Sequence, residues 1–305
     1  MSREIIFIHG RSQQGKDSSE LKQEWIDSLN EGLGKSDPSL PPITTDQVRF
    51  PFYGDTLDRL AKGFTDGDVP DVILRGEPNL NSEAKRFLFD VLTDVQQQQH
   101  IPDAEISAQT GIAVAERGPL NWPWMRAILQ KLDQNGKMSA VTIALATYDV
   151  FQYLTNRTIR RRIDDGVIGA FTPGTDSVVV AHSLGTVVAY TLLMREGTNR
   201  NWKVPELITV GSPLAVNAIR DRAPGIGDVG GNRTPPCVGS WFNAMDPHDA
   251  VALHPLDAAH FAINPPTPAI ENKTDVDNQT PNHHGISGYL SDPVVARRIY
   301  DALQE

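Results

Sequence analysis

The feature that most constrains the fold is residues 177–190, SVVVAHSLGTVVAY, where an apolar run stops at Ser183. A continuous run of β-branched residues indicates a strand buried on both faces, as in a parallel sheet. Directly after Ser183, apolar residues recur at helical spacing, which predicts a helix. The chain therefore turns sharply from strand to helix. We expect an α/β protein with a mostly parallel central sheet flanked by helices.

This turn predicts a reactive hydroxyl group on Ser183. A serine at the apex of a strand-to-helix turn adopts a strained backbone and projects its oxygen above the sheet, beside a helix N-terminus that favours an oxyanion. The residues two before and two after it must be small, and they are Ala181 and Gly185. The alternative is a buried serine that closes a core strand. Ser212 also follows a predicted strand, but Pro213 directly after it disfavours the same turn.

Composition excludes several kinds of partner. The 305 residues include 28 Lys and Arg against 38 Asp and Glu, a net charge of −10, which argues against binding nucleic acid or an anionic membrane surface. No apolar run approaches the roughly 20 residues of a membrane span, so we expect no stable membrane insertion. A signal-peptide pattern is not seen, which favours a cytoplasmic location. The single cysteine, Cys237, is expected to be a small buried side chain.

A nucleotide-binding loop is the main rival interpretation. Residues 10–17, GRSQQGKD, match the phosphate-binding pattern G-x-x-x-x-G-K-[ST] except at the last position. There Asp17 replaces the hydroxyl group that would bind Mg²⁺ and would place a carboxylate next to a polyphosphate. We expect Asp17 and Ser18 to cap the following helix instead. Nucleotide binding by the Gly10–Lys16 loop remains an alternative.

The chain is predicted to contain one sheet-based core and one insertion. The core comprises residues 1–54 and 156–305, and residues 55–155 form a helical cap or lid. Further strands are predicted at 5–8, 47–51, 206–214 and 238–243. Helices are predicted at 19–33, 82–99, 124–134, 146–154, 156–170 and 294–303. Four aromatic residues are expected either to line an apolar substrate pocket or to pack the cap onto the core: Phe52, Tyr53, Trp122 and Trp124.

A serine nucleophile needs an imidazole that accepts its proton and a carboxylate that orients the imidazole. Two acids, Asp246 and Asp249, follow the predicted strand at 238–243. Two histidines, His283 and His284, precede the C-terminal helix. We prefer His284 because it is closer to the apolar residues Ile286 and Tyr289, which would anchor it. The alternative for the histidine pair is exposure to solvent.

Together these residues resemble the α/β-hydrolase superfamily, and in particular its lipase- and esterase-like serine hydrolases. The resemblance covers the strand ending in His9-Gly10, the turn at residues 181–185, Gly211-Ser212-Pro213, the Asp249 loop and His284. It does not cover residues 55–157. In many lipases the catalytic aspartate precedes an apolar residue and then a proline, which favours Asp249 over Asp246.

The resemblance implies a Ser183–His284–Asp249 catalytic triad, with the backbone N–H groups of Leu184 and Arg11 forming the oxyanion hole. It implies a carboxylic ester hydrolase acting on a small-molecule acyl ester, with no metal or organic cofactor. A thioesterase or amidase with the same triad is the closest alternative. A binding module that has lost activity is a further one. The oligomeric state is not indicated.

Overall fold

The computed structural model describes residues 3–10, 17–53, 80–134, 140–223 and 232–305, and its strands form one six-stranded sheet. All strand pairs are parallel, in the order β2-β1-β3-β4-β5-β6. The strands are β1 Glu4–Ile8, β2 Val48–Arg49, β3 Ser177–His182, β4 Val204–Val210, β5 Val238–Ala244 and β6 Glu271–Lys273. The predicted parallel α/β sheet is confirmed.

The helices cover both faces of this sheet. They are α1 Ser18–Ser36, α2 Ser82–Gln98, α3 Asp103–Thr110, α4 Trp122–Gln134, α5 Ala140–Thr155, α6 Arg157–Ile168, α7 Leu184–Glu196, α8 Asn217–Arg220, α9 Ile286–Leu290 and α10 Pro293–Gln304. Helices α1, α9 and α10 share one hydrophobic core with the sheet, and α2 to α8 contribute to the other. None of the helices in the described ranges is both long and apolar enough to cross a lipid bilayer.

The two cores explain why the central strands are continuously apolar. Every residue of β3 is buried, and successive side chains alternate between the faces. Val178 lies in the core with α1, whereas Val179 lies in the core with α7. Strand β1 pairs with β3 along its whole length. Its Ile5 lies in the core with α1, and its Ile6 lies in the core with α7.

The strand order reverses between β1 and β3, and this reversal positions the site. Strand β2 lies on one side of β1, while β3 and all later strands lie on the other. Right-handed crossovers then place α1 and α7 on opposite faces of the sheet. The two helices therefore diverge from neighbouring strands, an arrangement that typically leaves a crevice at the carboxyl ends of the strands.

The described part of the predicted cap is helical and shares a hydrophobic core with the sheet and α7. Phe87 of α2 and Ile128 of α4 lie in the same hydrophobic core as Val179 of β3. Trp122 and Trp124 are buried in this core as well, so both pack within it. A buried hydrogen bond joins α5 to α6, since the Tyr153 hydroxyl donates to Asp164 at 2.8 Å.

The N-terminus of α1 bears on the nucleotide-binding alternative. The Asp17 carboxylate accepts hydrogen bonds from the backbone N–H groups of Ser19 and Glu20, at 2.7 and 3.1 Å. The predicted capping role of Asp17 is therefore confirmed, and Ser18 is the first helical residue. Residues 11–16, which form most of the candidate phosphate-binding loop, lie outside the described residues.

Candidate active site

Ser183 is the single residue that connects β3 to α7, and its backbone conformation is strained. Its φ of +56° and ψ of −129° are unusual for a residue with a side chain. Its backbone N–H donates to the Val210 carbonyl at 3.2 Å. Its own carbonyl accepts from the backbone N–H of Thr186 at 2.9 Å and from the Thr186 hydroxyl at 2.7 Å. These bonds to β4 and α7 hold the turn in place.

Glycines let the end of β1 approach this turn closely. A Cβ atom on Gly185 would lie 2.2 Å from the carbonyl oxygen of Ile8, and one on Gly10 would lie 2.7 Å from the Cβ of Ser183. Both distances are far below van der Waals contact. The small residue two positions after Ser183 is thus required by the backbone of β1.

The structure brings Ser183, His284 and Asp249 together in one hydrogen-bonded chain. The Oγ of Ser183 lies 2.9 Å from Nε2 of His284, and Nδ1 of His284 lies 2.7 Å from Oδ2 of Asp249. A carboxylate only accepts, so Nδ1 carries the proton and Nε2 is free to accept from the serine hydroxyl. This is the geometry that a general base needs in order to activate a serine.

Several donors keep Asp249 ionised. Its Oδ1 accepts from the backbone N–H groups of Val251 and Ala252, at 2.8 and 3.2 Å, and its Oδ2 accepts from the Tyr289 hydroxyl at 2.6 Å. Burial by itself raises the pKa of Asp249, but the charge interaction and hydrogen bond with His284, together with these donors, hold that pKa below its ordinary value. Asp249 can therefore orient and stabilise a protonated His284.

The other acid and the other histidine that the sequence left open contact each other and not Ser183. The Asp246 carboxylate accepts from the backbone N–H groups of His248 and Asn278, at 2.6 and 2.7 Å. Nδ1 of His283 lies 3.4 Å from Oδ2 of Asp246 and donates to the Asn278 carbonyl at 3.0 Å. These two side chains therefore join the acid loop to the base loop behind the Ser183–His284–Asp249 chain.

The surroundings of Ser212 and Cys237 indicate that both residues have structural roles. The Ser212 hydroxyl is buried, lies 2.9 Å from Oγ1 of Thr186 and accepts from the backbone N–H of Leu214 at 3.3 Å. It thus supports the turn through Thr186. Burial raises the pKa of Cys237 to about 11, so its thiol stays protonated at neutral pH. The side chain is half-buried against the core, and not fully buried as the sequence predicted.

Two buried histidines beside the site were not assigned a role from the sequence. Nε2 of His182 donates to the backbone carbonyl of His284 at 2.7 Å, and its ring centroid lies 4.7 Å from that of His284. His9 accepts from the backbone N–H of Tyr53 at 3.1 Å. Burial lowers the pKa of His182 to about 3 and that of His9 to about 4, so both rings are neutral. The sequence did contain a signal for His182. It is the last residue of β3, and strand alternation places its side chain on the same face as Val178 and Val180, which lie in the core with α1.

Of the two predicted oxyanion donors, one lies among the described residues. Leu184 is the first residue of α7, where a helical N–H group has no acceptor in its own helix. It directly follows Ser183, so this N–H lies next to the serine along the chain. Arg11, the other predicted donor, lies outside the described residues.

A cleft of about 350 Å³ opens onto Ser183 and His284. Its walls come from α1, from the first turns of α5 and from the loop that carries His284. The other lining residues are Glu24, Trp25, Ser28, Thr142, Leu145, Ala146, His182, Asn282, Gly285, Ile286 and Ser287. The lining is a mixture of apolar and polar groups with one exposed carboxylate, that of Glu24, and such a mixture suits a small organic molecule.

Comparisons of this chain with protein families, with curated proteins and with solved structures returned no match. No family is therefore assigned on similarity. What the site can do follows from the geometry of its own residues.

Proposed function

We propose that this protein is a serine hydrolase that cleaves carboxylic esters of small molecules through an acyl-enzyme intermediate. The observation that carries the proposal is the hydrogen-bonded chain from Ser183 through His284 to Asp249. A buried serine with no catalytic role would need neither a backbone φ of +56° nor an oriented imidazole. Both features are those of an activated nucleophile.

The reaction takes place in two halves. His284 Nε2 accepts the proton of Ser183 as Oγ attacks the ester carbonyl, and the backbone N–H of Leu184 donates to the oxyanion. His284 then returns the proton to the departing alcohol, which leaves an acyl group on Ser183. A water molecule repeats the sequence, so that the acid is released and the serine is restored. Throughout, Asp249 stabilises the positive charge on His284.

The architecture supports a fold of the α/β-hydrolase type with a helical cap. Ser183 follows β3, Asp249 follows β5, and His284 lies on the loop before the last two helices. This is the chain order serine, acid, histidine that the α/β-hydrolase fold uses. The three residues meet at the carboxyl ends of parallel strands, where the strand order reverses. We assign residues 55–155 as the cap, because α5 supplies Thr142, Leu145 and Ala146 to the cleft.

A thioester or an amide is the alternative substrate, since the same triad attacks either carbonyl. Nucleotide binding is the weaker candidate. At the N-terminus of α1, where a phosphate would bind, the Asp17 carboxylate already accepts from two backbone N–H groups, and its negative charge repels a phosphate.

The test is steady-state turnover of an ester, thioester and anilide series by wild type, Ser183→Ala and Ser212→Ala. We expect Ser183→Ala to lower kcat by at least about 10⁴-fold, because the nucleophile is lost. The temperature of thermal unfolding should stay close to that of wild type. Ser212→Ala is the matched control and should lower kcat far less. Turnover that survives in folded Ser183→Ala would reject the proposal, and the preferred member of the series identifies the substrate class.

A further inference from the structure

A second cluster of chemically active side chains lies next to the Ser183–His284–Asp249 chain. It consists of the Asp246 carboxylate and the imidazoles of His248 and His283, and one potential ligand atom from each lies within 4.8 Å of the others. Nδ1 of His248 is 3.1 Å from Oδ1 of Asp246. Nδ1 of His283 is 3.4 Å from Oδ2 of the same carboxylate.

These separations match those between ligands of a small tetrahedral ion. Ligand atoms about 2.0–2.1 Å from a tetrahedral zinc ion are separated from each other by about 3.3 Å. Two imidazoles and one carboxylate are also a donor set that zinc and similar divalent transition metals accept, with water in the remaining position. Small rotations of the exposed His248 ring would bring its nitrogen to the same centre as the other two ligands.

The surroundings provide both rigidity and access. The Asp246 side chain is 1% exposed, and two backbone N–H groups fix its carboxylate, as the second shell of a metal ligand requires. The side chains of His248 and His283 are 52% and 35% exposed, so an ion can enter from solvent. In the structure Nδ1 of His283 donates to the Asn278 carbonyl, and Nδ1 of His248 donates to Asp246. Each imidazole binds an ion through Nδ1 once its proton has moved to Nε2, so metal binding exchanges these two hydrogen bonds for bonds to the ion.

The cluster also lies on the two loops that carry Asp249 and His284. His248 directly precedes Asp249, and His283 directly precedes His284. The backbone N–H of Asp246 donates to the hydroxyl of Tyr289 at 3.1 Å, and that hydroxyl in turn donates to Asp249. A single ion bound by all three side chains would join the acid loop to the base loop.

We propose that Asp246, His248 and His283 bind one divalent transition-metal ion of the zinc class, which clamps the loops that carry Asp249 and His284. The ion takes no part in bond cleavage, since none of its three ligands belongs to the Ser183–His284–Asp249 chain. The site does not depend on whether the protein hydrolyses esters. Its test therefore measures binding and stability.

The experiment titrates chelator-treated full-length protein with Zn²⁺ by calorimetry and follows thermal unfolding with and without Zn²⁺. The test variant combines His248→Ala with His283→Asn. Asparagine suits position 283 because the backbone there has a φ of +54°, which asparagine tolerates. His260→Asn is the matched control, because its Nδ1 lies 2.9 Å from Asp257 and its side chain is 38% exposed.

We expect wild type and His260→Asn to bind one Zn²⁺ per chain and to unfold at a higher temperature when Zn²⁺ is present. In the double variant the affinity should fall by at least about 10–100-fold, which is the cost of losing even a second-shell group, and the thermal shift should disappear. His248→Ala alone gives the same readout if the double variant does not fold. The absence of saturable binding to wild type, or equal binding by wild type and either test variant, would overturn the proposal.

Discussion

At the scale of single residues, each member of the Ser183–His284–Asp249 chain is held by another side chain. The Thr186 hydroxyl donates to the carbonyl of Ser183. His182 donates to the carbonyl of His284. Tyr289 donates to the carboxylate of Asp249. In the proposed hydrolase such neighbours would fix the reacting groups before substrate arrives, and preorganisation of this kind is a principal source of catalytic rate.

Tyr289→Phe is expected to lower kcat by about tenfold or more, because a hydrogen bond to a charged group contributes about 1.5–3 kcal/mol and each 1.4 kcal/mol changes the rate tenfold. The KM should change little, since Tyr289 does not line the cleft. Without this donor the pKa of Asp249 rises, so the acid limb of the pH–rate profile should move to higher pH. The measurement is kcat and KM across pH. An unchanged kcat with a raised KM would show that Tyr289 acts on substrate binding instead.

The sequence predicted which kinds of residue form the site and favoured Asp249 and His284, but its local pattern did not exclude Asp246 or His283. Asp246 and Asp249 lie on one short loop, as do His283 and His284. The backbone N–H of Asp249 donates to the carbonyl of Asp246 at 3.0 Å, and the resulting turn directs the two carboxylates to different partners. His283 has a φ of +54°, which turns its ring away from that of His284. Neither turn has a distinctive sequence pattern.

At the scale of secondary structure elements, the decisive contact is between the turn after β3 and the end of β1. Gly185 occupies the first turn of α7 with its Cα directed at the backbone of Ile8 and His9. The backbone cannot move aside without breaking the pairing of β1 with β3. The position of Ser183 therefore depends on a glycine that has no chemical role.

Gly185→Ala is expected to destabilise the protein by about 1–3 kcal/mol or more, because overpacking a rigid site has this cost. Gly166→Ala is the matched control. A methyl group added at Gly166, within α6, would meet no neighbouring element within 4 Å, so alanine there should stabilise the helix by about 0.5–1 kcal/mol. Equilibrium denaturation of both variants checks this pair. Equal stability of Gly185→Ala and wild type would mean that β1 and α7 are not packed as described.

Most elements were predictable because their apolar patterns are long. The exceptions were set by tertiary contacts. Strand β6 has only three residues, all polar, so no pattern distinguished it from a loop. Helix α5 begins at Ala140, whereas the sequence indicated residue 146, and the backbone N–H of Ala140 is capped by the Asp133 side chain of the preceding segment at 2.8 Å. A cap from another element leaves no local signal.

At the scale of the whole molecule, two buried neutral histidines link stability to pH. His9 and His182 have pKa values of about 4 and about 3 in the folded protein, against about 6.5 in an unfolded chain. Below pH 6.5 the unfolded state therefore binds protons that the folded state cannot accept. The pKa of Asp249 is lowered as well, but its contribution is retained above the unfolded value of about 3.9 and is lost only at lower pH.

We therefore expect the free energy of unfolding to fall as the pH decreases from about 6.5 to about 4, by at most about 1.4 kcal/mol per pH unit for each of the two histidines. His182→Asn should make this dependence shallower, although it also lowers stability at neutral pH through the lost bond to His284. Urea denaturation at several pH values measures the slope. An identical slope in wild type and His182→Asn would contradict the assignment of His182 as buried and neutral.

The sequence predicted a parallel α/β sheet, but not how the inserted helices pack. An amphipathic helix shows in its sequence that one face is buried, without showing what covers that face. Residues on α2, α4 and α5 meet the same core as β3 and α7. As a result, α5 both contributes to this core and lines the cleft. These two contacts connect the stability of the fold to the shape of the cleft beside Ser183.

The most direct test of the central claim is covalent labelling with a fluorophosphonate probe, with the modified peptide located by mass spectrometry. We predict a single adduct on Ser183 of wild type, no adduct on Ser183→Ala, and much slower labelling of Asp249→Asn, in which His284 loses its charged partner. A folded wild-type protein that does not react, or that reacts at another serine, would contradict the assignment of Ser183 as an activated nucleophile.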